Sequence, residues 1–326
     1  MKRLIIVVLS FVFFTSCNNK NNKLTGLIYG TSYSIQYGGK EDKGLQLKVD
    51  SLFYGINQSM STYEMNSLIS KINRNESNEI DDYFLCVFDA SKEIYKETKG
   101  AFDPTIGNLV NAWNFGSEER TEALDSLKID SLMLSVGLDK VYRDGHTIIK
   151  ENPNTYIDFN AIAKGYSVDV VSEFLDSEGI ENYIVEIGGE IRTKGINVEK
   201  GKAWKVGVEM PHFDGSRSVI RAISFDNQAM ATSGTYRKYK IDSNGNRYSH
   251  IIDTKTGYPS KTNLLSISVI ASNCMIADAY ATAFKTMGIE KVKAFLKVHP
   301  ELEAFLIYED DNKELKNLSL NGFPES

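Results

Sequence analysis

The stretch IDFNAIAKGYSVDVV, from Ile157 to Val171, joins two different periodicities. Ile157 and Phe159 flank a single acid, Asp158, in the alternation of a buried strand, whereas Val168, Val171 and Leu175 recur at helical spacing. A strand therefore feeds a helix across Asn160, Ala161, Lys164 and Gly165. The start of a helix offers unpaired backbone N–H groups and the positive end of its dipole, which suits an anion. Lys164 adds charge of the same sign, while Asp158 calls for a donor or a metal. The junction fits a phosphate compound, and it demands a fold in which strands and helices pack together.

The remaining sequence supplies both kinds of element. Strands are expected near 155–159, 182–187, 204–210, 219–225, 229–232, 247–252, 264–270 and 303–308, and one strand over Gly26 to Tyr37. Helices are expected near 164–178, 275–287 and 290–298. Leu45, Val49, Leu52, Phe53 and Ile56 mark another helical face, and Phe84, Val87, Phe88, Ile94 and Tyr95 a further one that stops at Gly100. The charged stretch 117–131 reads as a surface helix or loop. Strict βαβ alternation is lacking, which favours an α+β fold: one compact domain of mixed sheets and packed helices. With 326 residues, 42% of them hydrophobic, the chain can bury a sizeable core. A net charge of −6 without a basic block argues against nucleic acid as a partner.

The N-terminus reads differently. Lys2 and Arg3 precede an apolar run, Leu4 to Phe14, that is too short to span a bilayer and reads as a secretory signal. FTSC followed by NNKNNK resembles a bacterial lipobox. Residues 1–16 are then a signal peptide, Cys17 the lipid-bearing first residue, and 17–25 a flexible tether; the alternative is a plain signal with an incidental cysteine. The expected location is the bacterial cell envelope, lipid-anchored to a membrane with the domain outside the cytoplasm. Cys86 and Cys274 lie among apolar residues and are expected as buried free thiols rather than a disulfide.

Four further segments could carry chemistry. EIGGEIRTKG (Glu186 to Gly195) reads as a tight turn needing positive φ at Gly188 or Gly189. GAFDPTIGNLVNAWNFG (Gly100 to Gly116) reads either as a helix capped by Asp103 or as a loop whose backbone and aromatics meet a flat ligand. Ser233, His250 and Asp253 invite a hydrolase reading, but no GxSxG elbow surrounds the serine. In IADAYATAF, Asp278, Ala281 and Thr282 fall on one helical face. A carboxylate and a hydroxyl one turn apart are hard oxygen donors of the kind Mg²⁺ takes. The same pattern also suits an acid near a helix start and a threonine bonding back to the helix.

Taken together, GTSYSIQY, MSTYEMNSLISKIN, GAFDPTIGNLVNAWNFG, IDFNAIAKGYSVDVV, YIVEIGGEIRTKG, MATSGTYRKY, YSHIIDTKTGYP and IADAYATAF resemble the FAD:protein FMN transferase family, the ApbE-like flavin transferases. The resemblance runs in order over nearly all of residues 26–290, within an expected domain of 26–326. It implies an enzyme that takes FAD and Mg²⁺ and links FMN through its phosphate to a threonine or serine of an acceptor flavoprotein, releasing AMP. Such acceptors are redox-pump subunits or other extracytoplasmic flavoproteins. The resemblance assigns Tyr29, Tyr63, Ala101, Phe102, Asp103, Asp158, Lys164 and Ile252 to FAD. It assigns Asp278 and Thr282, with the backbone carbonyls of Ala161 and Ala281, to the metal. For the acceptor's proton, His250 is the candidate base or orienter. Asp253 would orient it or help a second metal, and Arg237 would stabilise developing negative charge. An FAD pyrophosphatase and a non-enzymatic flavin-binding lipoprotein are the rival readings.

Overall fold

The computed structural model describes residues 20–118, 124–236, 239–241 and 247–325. Its centre is an eight-stranded sheet whose strands lie side by side in chain order, every neighbour antiparallel. The strands are β1 (Asn21–Ile28), β2 (Thr31–Gly38), β3 (Tyr183–Ile187), β4 (Glu190–Lys194), β5 (Gln228–Gly234), β6 (Leu264–Ala271), β7 (Glu303–Glu309) and β8 (Leu315–Leu320). Between β2 and β3 the chain leaves the sheet and forms α1 (Leu45–Met60), α2 (Leu68–Asn73), α3 (Asp82–Glu97), α4 (Gly107–Ala112), α5 (Ser126–Met133) and α6 (Ala163–Ser177). After β6 come α7 (Cys274–Met287) and α8 (Ile289–Leu296). This is the α+β arrangement expected from the absence of βαβ alternation.

Strand β6 is buried at every position, because both faces of the sheet are covered. On one face Ile267 and Val269 join Phe84, Phe159, Ala277, Ala281 and Phe284 in the largest apolar cluster. On the other, Ile270 packs with Val206, Val208, Ile223 and Phe305, under a hairpin formed by Val206–Glu209 and Val219–Ile223. A smaller cluster of Leu109, Ile129, Val136 and Ile252 holds α4 and α5 to the loop before β6.

Several expectations need correction. The expected tether runs into the fold at Asn21, and β1 pairs with β2 along its whole length, from Asn21 opposite Gly38 to Ile28 opposite Thr31. The single strand expected from Gly26 to Tyr37 is a hairpin that turns at Tyr29 and Gly30, with φ of 52° and 71°. Residues 155–159 are not a strand. Asn73 takes the place of a strand partner: its side chain accepts from Ile157 N and donates to Ile157 O, each at 2.8 Å. Asp103 does not cap a helix; it accepts from the Thr105 amide and hydroxyl, and α4 begins only at Gly107. Both described cysteines are free as expected, but Cys86 is exposed and only Cys274 is buried. Cys17 and Arg237 lie outside the described residues.

Candidate active site at the crossing of two helices

Helices α6 and α7 pack against the same face of the sheet and approach each other at Gly165. A Cβ there would sit 2.3 Å from the Cys274 carbonyl oxygen and 2.8 Å from Asp278 Cβ, so only glycine permits the contact. The approach is tied by polar bonds. Gly165 N–H donates to Asp278 Oδ2 at 3.0 Å. Asp169 of α6 accepts from the Cys274 and Met275 amides at 2.9 and 2.8 Å, satisfying the free N–H groups at the start of α7. Arg192 on β4 closes that arrangement, donating to Asp169 at 2.8 Å.

Two residues before Arg192, on the same face of β4, Glu190 meets Lys164 with Nζ to Oε1 at 2.5 Å. The Glu190 side chain is 4% exposed and the Lys164 side chain 32%. Glu190 Oε2 is buried without a hydrogen-bond partner. Burial opposes the charge on Lys164, but the Glu190 and Asp278 carboxylates outweigh it and hold the lysine above its ordinary pKa. Burial pushes Glu190 and Asp278 upward, against the pull of Lys164. Two carboxyl groups facing one ammonium leave an acid in excess, an arrangement that suits the arrival of a cation.

Thr282 follows Asp278 by one turn of α7, and its Oγ1 lies 3.2 Å from Ser233 Oγ on β5. Among the described residues no group of three or more His, Cys, Asp and Glu could hold a metal. The donors in question are of another kind: the Asp278 carboxylate and the Thr282 hydroxyl, one turn apart on α7, to which the resemblance would add the carbonyls of Ala161 and Ala281. Such hard oxygen donors would suit Mg²⁺, which needs few protein ligands because it keeps waters and phosphate oxygens.

Two of the segments expected to contact FAD are tied to these helices, and two of the loops to each other. Tyr29 is a bulky residue at positive φ on the tip of the β1–β2 hairpin, a conformation that costs energy and clusters at functional sites. Its hydroxyl accepts from Ser167 of α6 at 3.2 Å. Asp158 N–H donates to the Pro104 carbonyl at 2.8 Å, joining the two loops, and Asp158 Oδ1 accepts from Asn160 N–H. Tyr63 is 60% exposed, close enough to Asp158 and Tyr156 for their charges to raise its pKa beyond the effect of partial burial. Burial raises Asp103 to about 6 against the hydrogen bonds from Thr105. Ala101 and Phe102 are buried, and Thr286 of α7 donates to the Ala101 carbonyl at 3.3 Å.

His250 stands beside the loop. Its ring centroid is 6.2 Å from that of Phe115, which in turn meets Tyr248 at 5.7 Å; Trp113 packs on Tyr248 and Tyr258 at 5.7 and 6.0 Å. These contacts pack the end of the 100–116 segment against Tyr248, His250 and Tyr258. Asp253 Oδ1 accepts from the Lys255 and Thr256 amides, so the carboxylate shapes its own turn. Ile252 is buried beside Leu109 and Ile129. The structure thus brings Lys164, Asp278 and Thr282 together and sets Asp158, Ala101–Asp103 and His250 on linked loops. Ser233 reaches Thr282 rather than a triad. Glu190 is the residue that motif reasoning passed over, although it follows the paired glycines whose φ of 65° and 108° make the expected turn.

Residues 29–306 match the ApbE family. A Vibrio cholerae protein named FAD:protein FMN transferase is 36% identical, over 99% of this chain and 99% of its own length. The solved flavin transferase ApbE from Vibrio cholerae superposes with a TM-score of 0.83 at 35% identity, covering 92% of this chain and 97% of that one. The apo flavinyl transferase ApbE of Pseudomonas stutzeri gives 0.82 at 28% identity, covering 92% and 94%.

Proposed function

The chain belongs to the ApbE family and is an FAD:protein FMN transferase, and from that premise we propose that the α6–α7 crossing holds the pyrophosphate of FAD with Mg²⁺. FMN then passes to a threonine or serine of an acceptor flavoprotein outside the cytoplasm. The observation that carries this reading is the Lys164–Glu190 pair beside Asp278, its carboxylate buried and its ammonium partly open.

In this account Lys164 meets the negative charge of the FAD phosphates, held in place by Glu190. Asp278 and Thr282, with the carbonyls of Ala161 and Ala281, hold Mg²⁺. When bound, Mg²⁺ neutralises phosphate charge and polarises the attacked phosphorus. The acceptor hydroxyl oxygen bonds to the FMN-side phosphorus. The bond from that phosphorus to the bridging oxygen breaks, and AMP leaves with that oxygen. His250 takes the hydroxyl proton, and Asp253 fixes the loop that follows it. Arg237 stabilises charge developing on the phosphoryl oxygens. Tyr29, Tyr63, Ala101, Phe102, Asp103, Asp158 and Ile252 hold the flavin and adenosine portions. Cys17 carries lipid and keeps the domain at a membrane of the envelope.

The test uses the form lacking residues 1–17 with FAD and Mg²⁺, with and without an acceptor domain. A denaturation-resistant fluorescent flavin band that needs both acceptor and Mg²⁺ supports the reading; AMP and free FMN without acceptor replace it with a pyrophosphatase. His250→Ala should lower transfer about 100-fold or more while leaving FAD affinity near wild type. Unchanged turnover removes His250 from the mechanism.

A further inference from the structure

The end of α3, the loop after His250 and helix α8 enclose a groove of about 500 Å³. Its floor is apolar, formed by Met287, Ala294, Phe295 and Val298, and Val298 is 71% exposed. Its rim carries Lys99, Lys255 and Lys291, one from each wall and all exposed. None of the three ammonium groups is paired with a carboxylate among the described residues. The acids nearby are engaged: Glu97 accepts from the Tyr280 hydroxyl, and Asp253 from two amides of its own turn. In a chain of net charge −6, a three-lysine rim runs against the overall sign.

The groove shares a wall with the site. Ala101 and Asp253 line it. Thr254 Oγ1 donates to the Gly100 carbonyl at 2.5 Å and ties the two loops. Thr286, also a lining residue, lies one turn beyond Thr282 on α7. A nucleotide alone leaves an apolar floor of this kind unexplained, whereas the second substrate of the reaction is a polypeptide.

We propose that this groove docks the acceptor flavoprotein through a segment alternating acidic and apolar side chains, which sets its hydroxyl residue at the α6–α7 crossing. The proposal rests on the acceptor reading above. Apolar side chains of the segment fill the floor, and its carboxylates face the lysines. Rim charges of this sort act on association and partner choice more than on the chemical step.

The experiment measures flavinylation of a redox-pump flavoprotein domain by wild type and by Lys99→Glu/Lys255→Glu/Lys291→Glu, across a range of salt. The acceptor KM should rise about tenfold or more in the variant, with kcat changed by less than about twofold and FAD affinity unchanged. Wild-type KM should climb with salt, and the variant's should not. Val298→Asp, on the floor, should raise acceptor KM in the same way. A triple variant with the wild-type acceptor KM and salt dependence overturns the docking proposal and leaves the transferase standing. A wild-type enzyme that binds FAD yet modifies no acceptor overturns the acceptor reading, and the docking proposal with it.

Discussion

Two lysines lie against helix α7, one partly open and one sealed, and their surroundings differ in kind. Toward the start of α7, Lys164 reaches across from α6 to a salt bridge with Glu190 and to the field of Asp278, while a third of its side chain stays open. In the last turn, Lys285 is 1% exposed, and its ammonium donates to the Thr262 hydroxyl at 3.1 Å. Burial lowers Lys285 to about 8, whereas the carboxylates raise Lys164. An ammonium that is partnered and still reachable is equipped to meet a phosphate. One sealed in apolar surroundings mainly carries a desolvation cost. The difference is between a lysine placed to receive a ligand and one that fills space.

The largest effect that would break the comparison comes from Glu190→Gln. This change keeps the side-chain volume but removes the charge that fixes Lys164. It should lower kcat/KM for FAD about 10- to 100-fold and weaken FAD binding followed by flavin fluorescence, with little change in melting temperature. Wild-type kinetics would reduce the pair to a structural contact. Gly165→Ala comes next. The added methyl meets the Cys274 carbonyl, the helices must separate, and stability should fall by about 1–3 kcal/mol in a denaturant titration. Transfer should fall too, because Asp278 is held by the Gly165 amide.

The smallest expected effect is at Lys285. Its folded pKa lies below the unfolded value, so between pH about 8 and about 10.5 the unfolded chain binds the extra proton. Stability therefore rises with pH across that window, and the cost is fully present below it. Lys285→Met should flatten the rise and add on the order of 1–2 kcal/mol at neutral pH, the lost bond to Thr262 offsetting part of the gain. Melting curves at several pH values measure this. A variant less stable than wild type at pH 7 would show that Lys285 is better partnered than the Thr262 bond indicates.

The sequence displayed the helices well, because their apolar spacing is local: α1, α3, α6, α7 and α8 fall where the periodicity placed them. Extended segments were harder. Residues 155–159 have the alternation of a strand, but their backbone is tied by an asparagine side chain, the Pro104 carbonyl and a single bridge from Tyr156 to Ile106, which no periodicity reveals. The β1–β2 turn was hidden because its first residue is Tyr29 rather than glycine or asparagine. At the site, Asp278 and Thr282 were legible as one helical face, and Lys164 with Gly165 as a helix start. Glu190 was not, because its importance comes from a contact between elements 26 residues apart in sequence, Lys164 on α6 and its own strand β4. A glutamate at an inward position directly after two glycines was the one local sign.

The central claim is that the α6–α7 crossing is where FAD phosphates and a cation meet. Calorimetric titration of FAD into wild type and Asp278→Asn, each with and without Mg²⁺, tests it most directly. Tighter FAD binding with Mg²⁺ in wild type, and loss of that enhancement in Asp278→Asn, is the predicted result. Equal Mg²⁺ enhancement in both proteins would place the cation elsewhere and contradict the account.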